Sequence, residues 1–287
     1  MDVSVIIPAQ GSDADDLAAT LQGVFGQRYD GRIEVFVAQY GGGAAIAISS
    51  SATTVRYLAV DHASPYVARN SAAREASGDM LLFTEPGCVP DPRWVSGHAN
   101  AIRDRGITVS VGHVAGMRET WALRTFRSYE DVRDEWVFGG KSWRHLFGRP
   151  KNMAITRHRF VSHGPFAEVL RGADSKLVQY VAREVSTREI GHTPSAIVRQ
   201  KNVRGLPSCL RDRFSHARSL RIHRSGHAAP IRLEDRLRIF RTTRARGGYG
   251  PAASVALLGF LAAGIVTYRL GGASARLARQ PRDGMLR

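Results

Sequence analysis

Two cysteines in 287 residues, Cys88 and Cys209, are too few for a disulfide framework and have no metal-cluster spacing. A reducing, cytosolic setting is therefore expected. The ten histidines are scattered without zinc-type spacing. Acidic residues are scarce in the second half: residues 138–287 hold 29 Lys/Arg against 8 Asp/Glu, net +21, whereas residues 1–137 hold 12 against 17, net −5. Such a basic half points to a polyanionic partner, whether nucleic acid, an anionic membrane surface or a phosphorylated substrate, or else to a solvated basic surface from a composition that favours Arg. Nucleic acid is the least supported, because a recognition helix, zinc spacing and an aromatic-rich strand motif are all missing. A charged-then-apolar leader is missing too, since the chain enters a strand pattern at Val3–Pro8, so no secretory signal is expected. The longest uncharged run is Gly247 to Tyr268, 22 residues rich in Gly and Ala.

What the chain does have is alternation. Val3–Pro8, Ile33–Val37, Thr54–Val60 and Met80–Thr84 read as strands. Between them lie an acidic helix start at Ser12–Asp16, with Leu17, Leu21, Val24 and Phe25 on one face, a flexible Gly41–Gly43 turn, and a helix opened by Ser64–Pro65, running to about Ser77 and closed by Gly78. This predicts an α/β domain with a mostly parallel sheet and helices on its faces. Further on, Ile107–Val111 and Asn152–Thr156 read as strands, residues 117–135 as a helix broken at Gly139–Gly140, and a helix follows Ala173–Asp174. The stretch from Met80 matters most. Four bulky residues end at Glu85 and a Pro86–Gly87 turn, after which Asp91 as N-cap and Pro92 open another helix. Ligands of open α/β sheets bind beyond the carboxyl ends of the strands, so Glu85 is a candidate ligand for a metal or a sugar hydroxyl.

Phe83-Thr84-Glu85-Pro86-Gly87-Cys88-Val89-Pro90-Asp91-Pro92-Arg93-Trp94-Val95 resembles the F-L-D-A-D-C-x-P-x-P-x-W-L passage of family 2 glycosyltransferases, nucleotide-sugar enzymes of GT-A fold. The Asp-x-Asp pair has become Glu85-Pro86-Gly87, leaving one carboxylate. The resemblance extends in order over about residues 1–225. It implies that Pro8 and Ala9 run along the nucleoside, and that Gln39 and Tyr40, standing where the family has acids, meet its base. Ala68-Arg69-Asn70, close to the family's A-R-N helix, implies that Arg69 and Asn70 face the nucleotide. Lys151-Asn152-Met153-Ala154 resembles the acceptor-side N-M-A strand and puts Asn152 and Met153 there. Gly172-Ala173-Asp174 resembles the G-E-D segment and implies that Asp174 is the catalytic base, with Ala173 in place of the Glu. Gln200 stands where the family often has a His.

The function so implied is inverting transfer of a sugar from a nucleotide-sugar donor to a hydroxyl acceptor, either a sugar or a lipid-linked or envelope-polysaccharide acceptor. Mg2+ or Mn2+, held by Glu85, is the implied cofactor. The alternative is a degenerate glycosyltransferase fold serving as a scaffold. Residues 226–287 are expected to form a basic C-terminal segment with a candidate transmembrane helix at 247–268, long enough to span a bilayer. Arginines are denser before it (Arg236, Arg238, Arg241, Arg244, Arg246) than after it (Arg269, Arg276, Arg279). That bias places residues 1–225 on the cytoplasmic face of the membrane. An Arg/His-rich helix at 208–224, with Leu210, Phe214, Ala217 and Leu220 roughly on one side, is expected to lie at the membrane surface.

Overall fold

A computed structural model describes residues 1–42, 55–117, 120–140, 142–169, 171–201, 205–222, 229 and 231–277. Gly43, Thr54, residues 118–119, Leu170, residues 223–226, Arg279 and the side chain of Leu220 lie outside this description. The chain divides into two compact units, residues 1–118 with 137–203, and residues 119–136 with 204–287.

The first unit is built on an eight-stranded sheet. Its strands are β1 (Val3–Ala9), β2 (Ile33–Tyr40), β3 (Val55–Val60), β4 (Met80–Phe83), β5 (Cys88–Pro90), β6 (Val109–Gly116), β7 (Met153–Thr156) and β8 (Ile190–Gln200), in the order β3-β2-β1-β4-β7-β6-β8-β5. The first four in that order are parallel. At β7 the direction reverses against both β4 and β6, while β6 and β8 are again parallel. β1 and β4 are buried along their whole length, which is why they read as continuous apolar runs rather than alternating ones. Helix α1 (Ala14–Phe25) places Leu17, Leu21 and Val24 in the core beneath β1, with Asp15 and Asp16 in its first turn, where the helix dipole favours anions. Helix α2 (Pro65–Glu75) starts as expected: Ser64 Oγ accepts from Tyr66 N at 3.3 Å, and Pro65 takes the first turn, where a missing N–H costs nothing.

Some local expectations are corrected. Helix α3 (Trp94–Arg105) is preceded by Arg93 as N-cap, not Asp91. The Asp91 carboxylate instead takes two bonds from Arg199 on β8, at 2.7 and 2.9 Å. Gly78 does not close α2, which ends at Glu75. It is glycine because β1 passes so close that a Cβ would lie 2.7 Å from Ser4 N. Gly139 and Gly140 form the last positions of helix α4 (Trp121–Gly140) rather than breaking it. Helices α5 (Arg157–His163) and α6 (Ala173–Glu184) complete this part of the chain.

The second unit is helical: the first part of α4 with α7 (Leu206–Ile222), α8 (Leu233–Gly247) and α9 (Pro251–Leu277). Tyr129, Val132, Ile239 and Leu257 form its buried core. Arg133 is matched to Glu130 (3.2 Å) and Asp134 (2.8 Å), and Arg213 of α7 also reaches Glu130 (3.2 Å). Glycines let α7 lie close to α9: a Cβ on Gly271 would clash with the Phe214 carbonyl, and one on Gly264 would touch Arg213. Among the described residues, Pro251–Ala275 is one helix long and apolar enough to cross a membrane, and most of it is exposed. Val255, Leu258, Val266 and Leu270 lie on its outside.

Candidate active site

The carboxyl ends of the parallel strands β1, β2 and β4 lie at one end of the sheet, and α2 packs on β1, β2 and β3. Ala9 is opposite Gln39 in the β1–β2 register, Pro8 and Ala9 are buried, and Gln39 and Tyr40 are half-buried at the end of β2. The Tyr40 hydroxyl is raised above its ordinary pKa by burial, and it sits in the fields of Arg69, Glu85 and Asp13. Tyr40, Arg69 and Glu85 are thus brought together.

Arg69 is 1% exposed, and its Nη2 donates to Glu85 Oε1 at 2.6 Å. Its guanidinium lies 5.2 Å from the centre of the Tyr66 ring, one helical turn earlier on the same face of α2. Its Nε is buried with no hydrogen-bond partner. Burial pushes the Glu85 carboxyl upward, but Arg69, Lys151 and Arg171 outweigh it and hold its pKa below the ordinary value. Lys151 reaches this place through the sheet. The antiparallel register pairs Phe83 with Met153, and Thr84 Oγ1 donates to the Lys151 carbonyl at 3.0 Å, so Lys151 comes opposite Glu85.

Tyr66 connects this group to Asp174. Its hydroxyl donates to Asp174 Oδ1 and accepts from Gly172 N at 3.2 Å. Burial, then the charge of Asp174, raises the Tyr66 pKa, so the phenol stays protonated and donates. Asp174 is 5% exposed in the first turn of α6, where the dipole favours a carboxylate. Gly172 is the N-cap, at φ 87, and Ser175 Oγ gives Asp174 Oδ2 a second bond at 3.2 Å. Gly148 packs against this turn so closely that a Cβ would lie 2.8 Å from Asp174 Cβ. Glu85, Arg69, Tyr66 and Asp174 therefore form one contiguous chain of contacts along α2.

Three of the expected site residues face inward instead. Asn70 spends its amide on the backbone of Phe166, donating at 2.8 Å and accepting at 3.0 Å, so it fixes the 164–169 loop. Met153 is fully buried in β7, between Phe83 and Val111. Asn152 is fully buried too. Its Oδ1 accepts from Trp94 Nε1 and His98 Nε2, both at 2.7 Å, and its Nδ2 donates to the carbonyls of His113 (2.7 Å) and Ala196 (2.8 Å). Two carbonyls fix which end of the amide is nitrogen, so His98 carries its proton on Nε2. Its Nδ1 then accepts from Ser110 Oγ (2.7 Å), which accepts from Thr193 Oγ1 (2.7 Å). Burial lowers the His98 pKa to about 4. The Asn152 amide thus has both N–H groups and two acceptor positions taken up within the protein, whereas Asn70 has one of each on the Phe166 backbone.

The sequence reading missed Tyr66, Lys151 and Arg171. Tyr66 had a legible signal: a tyrosine one turn before Arg69 on a helix packed against the sheet needs a partner for its hydroxyl.

The implied divalent cation does not fit the residues present. Glu85 is held by Arg69. Gly87, in the place of the second acid, has φ +78, and its Cβ would lie 3.2 Å from Asp16 Oδ2, so a side chain there is both strained and aimed at another carboxylate. Asp16 itself faces Lys201 Nζ at 3.4 Å. Among the described residues, no group of three His, Cys, Asp or Glu side chains is placed to hold a metal. Burial pushes the Cys88 thiol up to about 12, which leaves it an inert core residue.

The profile of glycosyl transferase family 2 matches residues 4–178. No curated protein sequence matches the chain. Among solved structures, the mannosyltransferase PcManGT from Pyrobaculum calidifontis, in complex with GDP-Man and Mn2+, is 17% identical with a TM-score of 0.57, covering 97% of this chain and 81% of its own. TarS from S. aureus, residues 1–349, is 13% identical with a TM-score of 0.54, covering 98% and 93%. Glucosyl-3-phosphoglycerate synthase from Mycobacterium tuberculosis, with Mn2+, UDP and phosphoglyceric acid, is 18% identical with a TM-score of 0.53, covering 80% and 79%. At these identities the likeness is one of fold, and the fold is GT-A.

Proposed function

Because the chain belongs to glycosyl transferase family 2, we propose that it is an inverting hexosyltransferase whose catalytic base is Asp174. The observation that carries this reading is the run of contacts along α2, in which the Tyr66 hydroxyl ties Asp174 to the Arg69–Glu85 pair at the sheet's carboxyl edge. The nucleoside would lie over Pro8 and Ala9 and against Gln39 and Tyr40. Asp174 takes the proton of an acceptor hydroxyl, and the oxygen attacks the anomeric carbon. The bond from that carbon to the diphosphate oxygen breaks, and the nucleoside diphosphate leaves with the electron pair. Tyr66 and Ser175 orient the carboxylate, and Gly148 leaves room for its helical turn.

The acceptor fits a sugar or a lipid-linked chain presented at a membrane. The exposed apolar face of α9 and the cations of α7 and α8 would together hold the C-terminal part of the chain against an anionic cytoplasmic leaflet, each cation contributing on the order of 1 kcal/mol. Residues 1–225 would then act as the catalytic domain.

The test is direct. The full chain is incubated with UDP-glucose, GDP-mannose and other nucleotide sugars, with and without membrane extract, and release of nucleoside diphosphate and anomeric configuration of the product are followed. Release from one donor, with inverted product, is the expected result. Tight nucleotide binding without release under any condition would favour the scaffold.

A further inference from the structure

We propose that the chain binds the diphosphate of its donor without a divalent cation, with Lys151 and Arg171 contacting the phosphates and Arg69 neutralising Glu85. This rests on the nucleotide-sugar reading above and goes beyond it by assigning the counter-charge. Three observations carry it.

The single carboxylate of the turn is already matched: Glu85 Oε1 accepts from Arg69 at 2.6 Å, and the guanidinium is buried beneath it. A carboxylate whose charge is already balanced by a buried guanidinium is a weak ligand for a metal. Gly87 cannot supply the missing acid, for the backbone and steric reasons given above, and Asp16 is directed at Lys201.

The charged groups acting on Glu85 are moreover cations. Lys151 stands across the sheet from it, and Arg171 immediately precedes Gly172, whose N–H bonds the Tyr66 hydroxyl. With Arg69 paired to Glu85, a dication approaching Glu85 would meet the like charges of Lys151 and Arg171, whereas a diphosphate would meet two opposite ones. Arg69 also keeps a buried Nε without a partner, so this cation carries unspent donor capacity at the same spot. Arginine and lysine clamps on a departing phosphoryl group supply the same neutralisation as a metal ion.

The probes are UDP, GDP, dTDP and CMP, each titrated against the full chain by calorimetry in EDTA and in Mn2+, at matched ionic strength. One of the diphosphates is expected to bind with an affinity in EDTA within about twofold of that in Mn2+. Lys151→Gln, at a half-buried position, and Arg171→Gln, at an exposed one, should each weaken it by about tenfold, the size of losing one charge-assisted hydrogen bond. Tightening of about tenfold or more by Mn2+ would overturn the inference and leave the donor reading standing. Metal-independent binding that neither substitution weakens would overturn the assignment of Lys151 and Arg171. If none of the four nucleotides bound in either condition, the inference and the reading beneath it would fall together.

Discussion

Two buried polar clusters in the first unit make opposite use of similar residues. The interior one, Trp94, His98, Ser110, Asn152 and Thr193, is neutral and joined by side-chain hydrogen bonds of 2.7–2.8 Å. The edge one, Arg69, Glu85, Tyr66 and Asp174, is charged, lies where the parallel strands end, and leaves Arg69 Nε unmatched. A closed neutral network ties α3 to β6, β7 and β8 and has nothing left to offer a ligand. On the proposed reading, the incomplete matching of the charged one is what a ligand would complete. Motif position alone does not separate the two, for Asn152 and Asp174 both sit in motif matches.

The sharpest way to break this contrast is at the edge. Asp174→Asn should lower turnover by about 10²–10⁴-fold, the usual worth of a general base, and leave the melting temperature and nucleotide affinity close to native. Full turnover with the true acceptor would reduce Asp174 to a structural helix residue. Asn152→Ala makes the converse case. It strands the indole N–H, the imidazole and two carbonyls in the core, and should cost about 3 kcal/mol in denaturant melts, with nucleotide affinity of the folded fraction unchanged. A native-like melt with lost nucleotide binding would put the interior cluster in the site after all.

The smallest expected effect concerns His98. Its folded pKa of about 4 lies below the unfolded value of about 6.5, so between those limits the unfolded chain takes up a proton that the folded chain refuses. Stability therefore rises with pH across that window and falls on acidification, by at most about 1.4 kcal/mol per pH unit. Melts from pH 4.5 to 7.5 of the native chain and of His98→Gln should differ in slope below pH 6.5; parallel curves would show that His98 does not titrate there.

How legible these features were depends on their range. β1, β2 and β4 announce themselves because a strand buried on both faces must be apolar throughout, and Ser64–Pro65 marks a helix start by purely local chemistry. β5 did not: Cys88–Pro90 is a strand only because β8 passes beside it, and nothing within three residues says so. The reversal at β7 was hidden for the same reason, since partner choice is settled by residues far apart in sequence. Asp174 was readable as an acid opening a helix, whereas the inward turn of Asn70 and Asn152 was not. An asparagine looks alike in sequence whether its amide meets a ligand or a carbonyl. Glu85 was legible as a strand-end carboxylate, but its partner Arg69 had been read only as facing the nucleotide.

The placement of β4 has a consequence for how the chain is made. Met80–Phe83 is wholly apolar and sits between β1 and β7, with Met80 opposite Thr156 and Phe83 opposite Met153. During synthesis at roughly 5–20 residues per second, β4 can dock on β1 as soon as it emerges, yet its other side stays open for seconds until β7 arrives. That open side is a row of unpaired backbone groups flanked by Met, Leu, Leu and Phe, the kind of edge on which neighbouring nascent chains join. The residues between β4 and β7 thus set a time during which chaperone cover decides the yield of folded protein.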